Sequence, residues 1–112
     1  MILYISGCYT TGDTEANVKH ARQVGAELFK MGHVPVIPHT MYHGMEKYSH
    51  ISYEDFMTAD IRILTRCDGI LMLNGWQQSH GAKQERQVAL LVGMGIHFES
   101  TFFRDSGKEP TQ

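Results

Sequence analysis

Two carboxylates fall where the helical pattern of the sequence places apolar side chains. Glu85 precedes Ala89 by four residues, and Asp60 lies four residues from both Phe56 and Leu64. Residues at this spacing share one face of a helix. A carboxylate on a core-facing stripe is costly unless it is paired or hydrogen-bonded, and burial raises its pKa. Two such groups could act as nucleophile and general acid, or both could be structural members of ion pairs.

Two further segments could bind an anion. Residues 7–12 form a polar loop that begins at Gly7, ends at Gly12 and precedes a predicted helix, so its backbone N–H groups could hold a phosphate. The loop lacks the spacing of a dinucleotide fingerprint and the lysine of a P-loop. Ser79 and Gly81 lie at the start of another predicted helix, with a hydroxyl beside the first N–H groups. Ordinary strand-to-helix turns explain both segments equally well.

Aromatic and imidazole groups allow more than one interpretation. Tyr42, Tyr48 and Trp76 could stack on a planar base or pack against the edge of a sheet. His39 and His43 are four residues apart, but no helical pattern surrounds them and no cysteine or acid completes a set of metal ligands. We therefore predict neither a metal nor another cofactor.

Short apolar runs and helical periods alternate along the chain. The apolar runs predict strands over residues 2–5, 34–37, 69–73 and 96–98. Three amphipathic helices are predicted between them, starting at Asp13 or Thr14, at Ser52, and at Ser79 or His80. Pro35 and Pro38 place the second strand at or near a sheet edge. Residues 39–51 show no period, and a connection of this length is often functional.

The alternation of strands and helices predicts an α/β fold of the flavodoxin-like or Rossmann-like, three-layer type. It would contain about four mostly parallel strands with helices on both faces. Ligand sites in such sheets lie beyond the carboxyl ends of the strands. Here those ends are followed by Ser6 and Gly7, by His39, and by Trp76. We predict one domain over residues 1–105 and a polar, mobile tail over residues 106–112.

The composition is that of a globular protein without a strongly charged face. Of the 112 residues, 42% are apolar, and the formal net charge of −2 provides no basic surface for nucleic acid or an anionic membrane. No run approaches the ~20 apolar residues of a transmembrane helix. The first residues do not resemble a secretory signal, and the two cysteines form no C-x-x-C pair. We therefore expect a cytoplasmic protein with reduced thiols.

Taken together, these residues resemble the nucleoside 2-deoxyribosyltransferase superfamily, which includes deoxyribosyltransferases and deoxynucleoside 5′-monophosphate N-glycosidases. The resemblance extends over most of the chain and is greatest to short bacterial and phage members. Its parts are residues 3–7, residues 31–33 before Pro38, Asp60 eight residues before Asp68, and residues 75–89, in which Ser79 stands six residues before Glu85.

The resemblance implies a role for each matching residue. The glutamate that corresponds to Glu85 attacks C1′ of the deoxyribose, and the tyrosine that corresponds to Tyr4 orients it. The aspartate that corresponds to Asp60 assists departure of the base, and the serine that corresponds to Ser79 helps to bind phosphate in the monophosphate hydrolases. A homo-oligomer is implied as well. The loop over residues 7–12 lacks the arginine-bearing pattern of those hydrolases, which leaves phosphate recognition open.

The chemistry of these groups agrees with such roles. Cleavage of an N-glycosidic bond builds positive charge at C1′, which a carboxylate stabilises or captures, and the departing base takes a proton from an acid. We therefore predict an N-glycosidase or deoxyribosyltransferase that acts on a 2′-deoxynucleoside or its 5′-monophosphate. The alternatives are a non-catalytic nucleotide-binding protein, acting as a sensor or by sequestration, and a structural module without a ligand. The predicted catalytic residues are Glu85, Asp60 and Tyr4, and the predicted binding residues are Ser6, Gly7, Gly12, His39, Trp76, Ser79 and Gly81.

Overall fold

Four parallel strands form the central sheet of the described part of the chain. They are β1 (Ile2–Ser6), β2 (Val34–Val36), β3 (Gly69–Met72) and β4 (Gly95–Phe98), in the spatial order β2-β1-β3-β4. In the register of the two inner strands, Tyr4 of β1 lies opposite Ile70 of β3. β2, which contains Pro35, is an edge strand, as predicted. The computed structural model describes residues 1–105, and the predicted tail over 106–112 lies outside them.

Five α-helices connect and flank the strands within residues 1–105. α1 (Thr14–Lys30), α3 (Tyr53–Leu64) and α4 (His80–Val92) are the three predicted helices, and α2 (Pro38–Met41) and α5 (Glu99–Asp105) are shorter. The predicted α/β fold, with a parallel sheet and helices on both of its faces, is confirmed. No helix in this part of the chain is both long enough and apolar enough to cross a membrane.

A side-chain cap marks the start of each long helix. Asp13 caps α1, and Ser52 forms a capping box with Asp55 at α3. At α4, Ser79 Oγ accepts a hydrogen bond from the N–H of Ala82 at 3.1 Å. Such caps supply acceptors for N–H groups that have no partner within the helix. The starts of α3 and α4 matter most for the site, because these two helices carry the candidate carboxylates Asp60 and Glu85.

The two faces of the sheet bury separate apolar clusters. Leu3 and Ile5 of β1 lie on one face, in a cluster with α1 residues and with Phe102 of α5. Tyr4 lies on the opposite face, beneath α3 and α4. Because successive side chains of a strand point to opposite faces, Tyr4 and Ser6 share the face that α3 and α4 cover. The alternation along one short strand therefore sends two hydroxyl groups toward these helices.

Two segments differ from what their sequences predict. Residues 39–51, predicted to be irregular, include most of α2 and a 3₁₀ turn over Met45–Lys47. The seven-residue helix α5 has no predicted counterpart. Its first residue, Glu99, contacts His20 of α1 and accepts a hydrogen bond from the backbone N–H of Asn74. Contacts distant in sequence thus stabilise a helix too short to form on its own propensity.

Candidate active site

A cavity of about 540 Å³ lies beyond the carboxyl ends of β1 and β2 and beside the start of α4. β1 continues into α1 on one face of the sheet, whereas β3 continues into α4 on the other face. A crevice opens where neighbouring parallel strands diverge in this way. The cavity walls come from the loop after β1, from the stretch between Pro38 and Met57, from Asp60, and from the first two turns of α4.

Glu85 is the centre of the polar network in this cavity. Its side chain is buried, with 6% of the residue surface exposed. Ser6 Oγ donates a hydrogen bond to Glu85 Oε1 at 2.6 Å, and Tyr4 Oη donates one to Glu85 Oε2 at 2.5 Å. Each carboxylate oxygen thus has its own hydroxyl donor, and both donors come from β1. Hydrogen bonds of this type orient a carboxylate and favour its ionised form.

Burial raises the pKa of Glu85 to about 7. The hydrogen bonds from Ser6 and Tyr4 oppose this rise, and the charge of Asp60 adds to it. Close to neutral pH, both protonation states of Glu85 are therefore populated. A carboxylate that is poised in this way is a stronger base and nucleophile than an ordinary surface glutamate.

Asp60 of α3 is the second carboxylate of the cavity. It lines the cavity and is half-buried, and burial raises its pKa to about 6, against the influence of the Tyr4 hydroxyl. Its Oδ1 atom is buried and has no hydrogen-bond partner among residues 1–105. The group can therefore hold a proton near neutral pH, which an acid that protonates a leaving group requires.

Tyr4 lies between these two acids in the network. The residue is fully buried, and burial together with the charges of Glu85 and Asp60 raises the pKa of its phenol. The phenol therefore stays protonated throughout the ordinary pH range and acts as a donor. This makes Tyr4 a positioning group for Glu85 and excludes it as a base.

The loop after β1 is held in place by an asparagine that the sequence analysis did not identify. Asn17 Nδ2 donates hydrogen bonds to the carbonyls of Tyr9 at 2.9 Å and Thr11 at 2.8 Å. At the start of the loop, a Cβ atom on Gly7 would lie 2.8 Å from Cβ of Leu73, so only glycine fits. These contacts fix the loop's path along the cavity.

The N-terminus of α4 forms another part of the wall. Ser79, His80 and Gly81 line the cavity, and the backbone N–H groups of the first helical turn carry partial positive charge. A Cβ atom on Gly81 would lie 3.2 Å from Cε of Met57 and 3.3 Å from Oη of Tyr53. The helix start is therefore packed closely against α3 at this point.

Three acids line the cavity without a lysine or arginine beside them among residues 1–105. They are Glu46, Asp60 and Glu85. Burial lowers the pKa of His39, and its Nε2 bonds to the carbonyl of Cys8 at 2.7 Å. The cavity therefore offers no permanent positive charge. Within the described residues, no three His, Cys, Asp or Glu side chains are grouped as a metal ion would require.

Aromatic residues make up much of the remaining wall. Tyr9, Tyr42, Tyr53 and Phe56 all line the cavity. The rings of Tyr42 and Phe56 contact each other with centroids 5.6 Å apart. Of these four, the sequence predicts stacking on a base for Tyr42 alone, and the helical pattern places Phe56 on the apolar stripe of α3. Helical periodicity does not distinguish a side chain that faces the core from one that faces a cavity.

The structure brings most of the predicted site residues together. Those that line the cavity are Gly7, His39, Asp60, Ser79, Gly81 and Glu85. Tyr4 and Ser6 do not line it, but both bond to Glu85. Gly12 has a φ of +79° and lies outside the cavity lining, as does Trp76. The Trp76 ring packs instead against Phe98 and beneath the Arg86 guanidinium, at centroid distances of 6.1 and 5.2 Å.

The chain matches a known family over most of its length. Residues 1–98 match a family described as "Domain of unknown function (DUF4406)". The matched range includes the whole cavity wall and every residue of the Glu85 network. No curated protein is similar enough to count as a match.

Proposed function

The chain belongs to the DUF4406 family, and we propose that it cleaves or transfers at the N-glycosidic bond of a 2′-deoxynucleoside. The observation that carries this proposal is the Glu85 carboxylate, which is buried at a ligand-sized cavity and held by hydroxyl donors on both oxygens. An acid in such a site is suited to attack or stabilise an electron-poor carbon. The resemblance to deoxyribosyltransferases supports the same interpretation.

The proposed reaction has two steps. In the first, a Glu85 oxygen forms a bond to C1′ while the bond from C1′ to the base nitrogen breaks, and Asp60 gives its proton to the departing base. In the second, water or another base attacks C1′ and displaces Glu85, and Asp60 recovers a proton from the attacking group. Both steps pass through an oxocarbenium-like transition state that the carboxylate stabilises.

The protonation states that this mechanism needs are available in the structure. Glu85 must be ionised, which the hydrogen bonds from Tyr4 and Ser6 favour. Asp60 must be protonated, which its burial favours. Because the pKa values of the two acids lie close together, at about 7 and about 6, the required combination exists as a minority form that is greatest between about pH 6 and 7.

The charges of the cavity wall favour an uncharged substrate. A 5′-phosphate would share the cavity with Glu46, Asp60 and Glu85, and no lysine or arginine of residues 1–105 lines it. Its electrostatic support would come from the start of α4, where Ser79 caps the helix and His80 lines the cavity. We therefore propose a nucleoside rather than a nucleotide as the preferred substrate. The homo-oligomer implied by the resemblance is proposed as well, and light scattering on the purified protein tests it.

Release of free base is the experiment that tests the proposed function. The purified protein would be incubated with the four 2′-deoxynucleosides, their 5′-monophosphates and the matching ribonucleosides, and products would be separated by chromatography. Glu85→Gln is the test variant. Gln87→Ala is its matched control, because Gln87 is exposed on the same helix and lies outside the cavity lining.

We expect base release from deoxy substrates by the wild type and Gln87→Ala and none by Glu85→Gln. Equal release by Glu85→Gln would contradict the mechanism. No release by the wild type, combined with a rise in Tm on adding one of these compounds, would identify a nucleotide-binding protein instead. No release and no Tm change with any of them would contradict the proposed substrate class.

A further inference from the structure

The ring of Tyr9 lines the cavity, and its hydroxyl is bonded to a chain of polar groups. Tyr9 Oη lies 2.7 Å from His43 Nδ1, and His43 Nε2 lies 3.0 Å from Glu15 Oε1. The Tyr9 ring also meets the rings of His39 and His43 nearly at right angles, with centroids 5.7 and 5.9 Å apart. With Asn17 bonded to its carbonyl, Tyr9 is restrained at its backbone, its ring and its hydroxyl.

The direction of the hydrogen bonds among Tyr9, His43 and Glu15 follows from the chemistry of these groups. A carboxylate accepts, so His43 Nε2 donates to Glu15. In the neutral imidazole, Nδ1 is then the acceptor and receives the hydrogen of the Tyr9 hydroxyl. Each group thus donates to the next, from Tyr9 to His43 and from His43 to Glu15.

His43 also holds the segment that it belongs to. Residues 42–51, which we call the connecting segment, run from the end of α2 to just before α3 and supply Tyr42, Glu46 and Ile51 to the cavity wall. Within residues 1–105, the side-chain hydrogen bonds and ion pairs of this segment to other elements are those of His43. His43 therefore supplies the polar contacts that hold this part of the wall, beside the ring contact of Tyr42 with Phe56.

We propose that His43 and Glu15 are positioning residues that hold Tyr9 and the connecting segment against the planar base of the substrate. This inference rests on the proposed function for the identity of the ligand. Tyr9, Tyr42 and Phe56 present aromatic surface to the cavity, and nucleobases stack favourably on such surfaces. A preorganised wall lowers the cost of ordering it when the ligand binds.

The solvent exposure of Glu15 and His43 distinguishes a positioning role from a role in the stability of the whole protein. The Glu15 side chain is 78% exposed and that of His43 is 32% exposed. Contacts between solvent-exposed groups contribute little to the free energy of unfolding. Loss of His43 should therefore alter the cavity wall and ligand binding more than it alters the stability of the whole protein.

A double-mutant cycle on base release tests the positioning role. The variants are Tyr9→Phe, His43→Ala and the combination of both, measured with whichever 2′-deoxynucleoside the wild type cleaves best. We expect KM to rise about two- to tenfold in each single variant, as for loss of one hydrogen bond, with kcat within about twofold of the wild type. If His43 acts through the Tyr9 hydroxyl, the double variant should be no worse than the poorer single variant.

Conservative and control variants make the cycle sharper. Glu15→Gln keeps an acceptor oxygen for His43 and should retain the wild-type KM, whereas Glu15→Ala should resemble His43→Ala. His50→Ala is the matched control, because His50 is an exposed histidine of the same segment that does not line the cavity. Additive KM effects of Tyr9→Phe and His43→Ala, or a loss confined to kcat, would overturn the inference.

Hydrogen exchange in the ligand-free protein tests the same inference without a substrate. His43→Ala should speed amide exchange in residues 9–12 and 42–51 and leave exchange in β1 and β3 unchanged. Unchanged exchange in both residues 9–12 and residues 42–51 would overturn the positioning role, whatever the substrate is. If the wild type releases no base while His43→Ala still shows the faster exchange, the proposed function fails and the positioning of the wall stands.

Discussion

The Tyr4 hydroxyl donates a hydrogen bond to Glu85 Oε2 at 2.5 Å, joining β1 to α4 across 81 residues of sequence. Ser6, two residues further along β1, donates to the other oxygen of the same carboxylate. The two donors point the same way because side chains two residues apart on a strand share one face. A buried acid is thus oriented by a strand rather than by a mobile loop, which is what precise placement at a reacting carbon requires.

Replacement of Glu85 should remove activity and increase stability. We expect Glu85→Gln to lower kcat/KM at least about a thousandfold, as losses of catalytic nucleophiles do. Burial raises the pKa of Glu85 from 4.5 to about 7 in the folded protein. The folded state therefore holds this proton more tightly than the unfolded state, and stability falls as pH rises from about 4.5 through about 7.

Urea denaturation at pH 5 and pH 8 measures the second effect. At pH 8, Glu85→Gln should be more stable than the wild type by up to ~3 kcal/mol, less any loss in the hydrogen bonds to Tyr4 and Ser6. At pH 5 the difference should be much smaller. A variant that is less stable than the wild type by the same amount at both pH values would show that Glu85 is a structural group.

The pair of acids should produce a bell-shaped dependence of kcat/KM on pH. Activity requires Glu85 ionised and Asp60 protonated, and their pKa values are raised to about 7 and about 6. The optimum should therefore lie between about pH 6 and 7. Asp60→Asn should lower kcat and remove the alkaline limb, since the group whose deprotonation causes it is gone.

Substrate choice separates the role of Asp60 from an effect on folding. A deoxynucleoside whose base leaves readily without protonation should lose less activity in Asp60→Asn than one whose base needs a proton. Thr58→Ala, an exposed change on the same helix, serves as the control. An unaltered alkaline limb in Asp60→Asn would assign that limb to another group.

Sequence patterns were sufficient to predict the sheet, the three long helices and the unusual positions of the two acids. Alternation and helical spacing depend on residues close together in the chain, so local reasoning captures them. Glu85 stood out because a charged residue occupied an apolar position. Its bonds to Tyr4 and Ser6 follow from the packing of α4 on β1, which spacing alone cannot specify; Tyr4 was assigned through a family resemblance.

The features of the site that the sequence does not predict depend on contacts between distant segments. Tyr9 and His43 meet across two connections that have no periodic pattern, so nothing in the sequence pairs them. Trp76 lies four residues after the end of β3, yet its ring turns toward Phe98 and not toward the cavity. A residue's position after a strand locates it near the ligand end of a sheet, but the turn that follows decides where its side chain points.

The two hydroxyl donors should contribute separately to catalysis. Tyr4→Phe and Ser6→Ala each remove one hydrogen bond to Glu85 and nothing that contacts the cavity directly. Hydrogen bonds to a charged group are worth ~1.5–3 kcal/mol, so each variant should lose about ten- to a hundredfold in kcat/KM. Both hydrogen bonds lower the pKa of Glu85, so this pKa should rise in either variant. Because it is the higher of the two pKa values, its rise should move the alkaline break of the profile to higher pH.

Thermal denaturation and a full pH–rate profile of both variants check this prediction. Thr65→Ala, which removes an exposed hydroxyl remote from the cavity, is the control for loss of a hydroxyl. A loss of activity with no movement of the alkaline break would mean that the hydroxyls act on the substrate or on folding and not on Glu85.

The acidic cavity wall should make the protein discriminate against 5′-phosphates. Glu46, Asp60 and Glu85 line the cavity without a lysine or arginine among the described lining residues. We expect kcat/KM for a 2′-deoxynucleoside to exceed that for its 5′-monophosphate by about tenfold or more, because like charges at close range repel. Glu46→Gln should reduce the ratio, and so should added salt, since Glu46 is exposed and its field is screened. Glu54→Gln, which removes an exposed acid of α3 outside the lining, should leave the ratio unchanged. A preference for the monophosphate at both low and high salt would mean that a cation from outside this wall neutralises the phosphate, and the nucleoside assignment would be wrong.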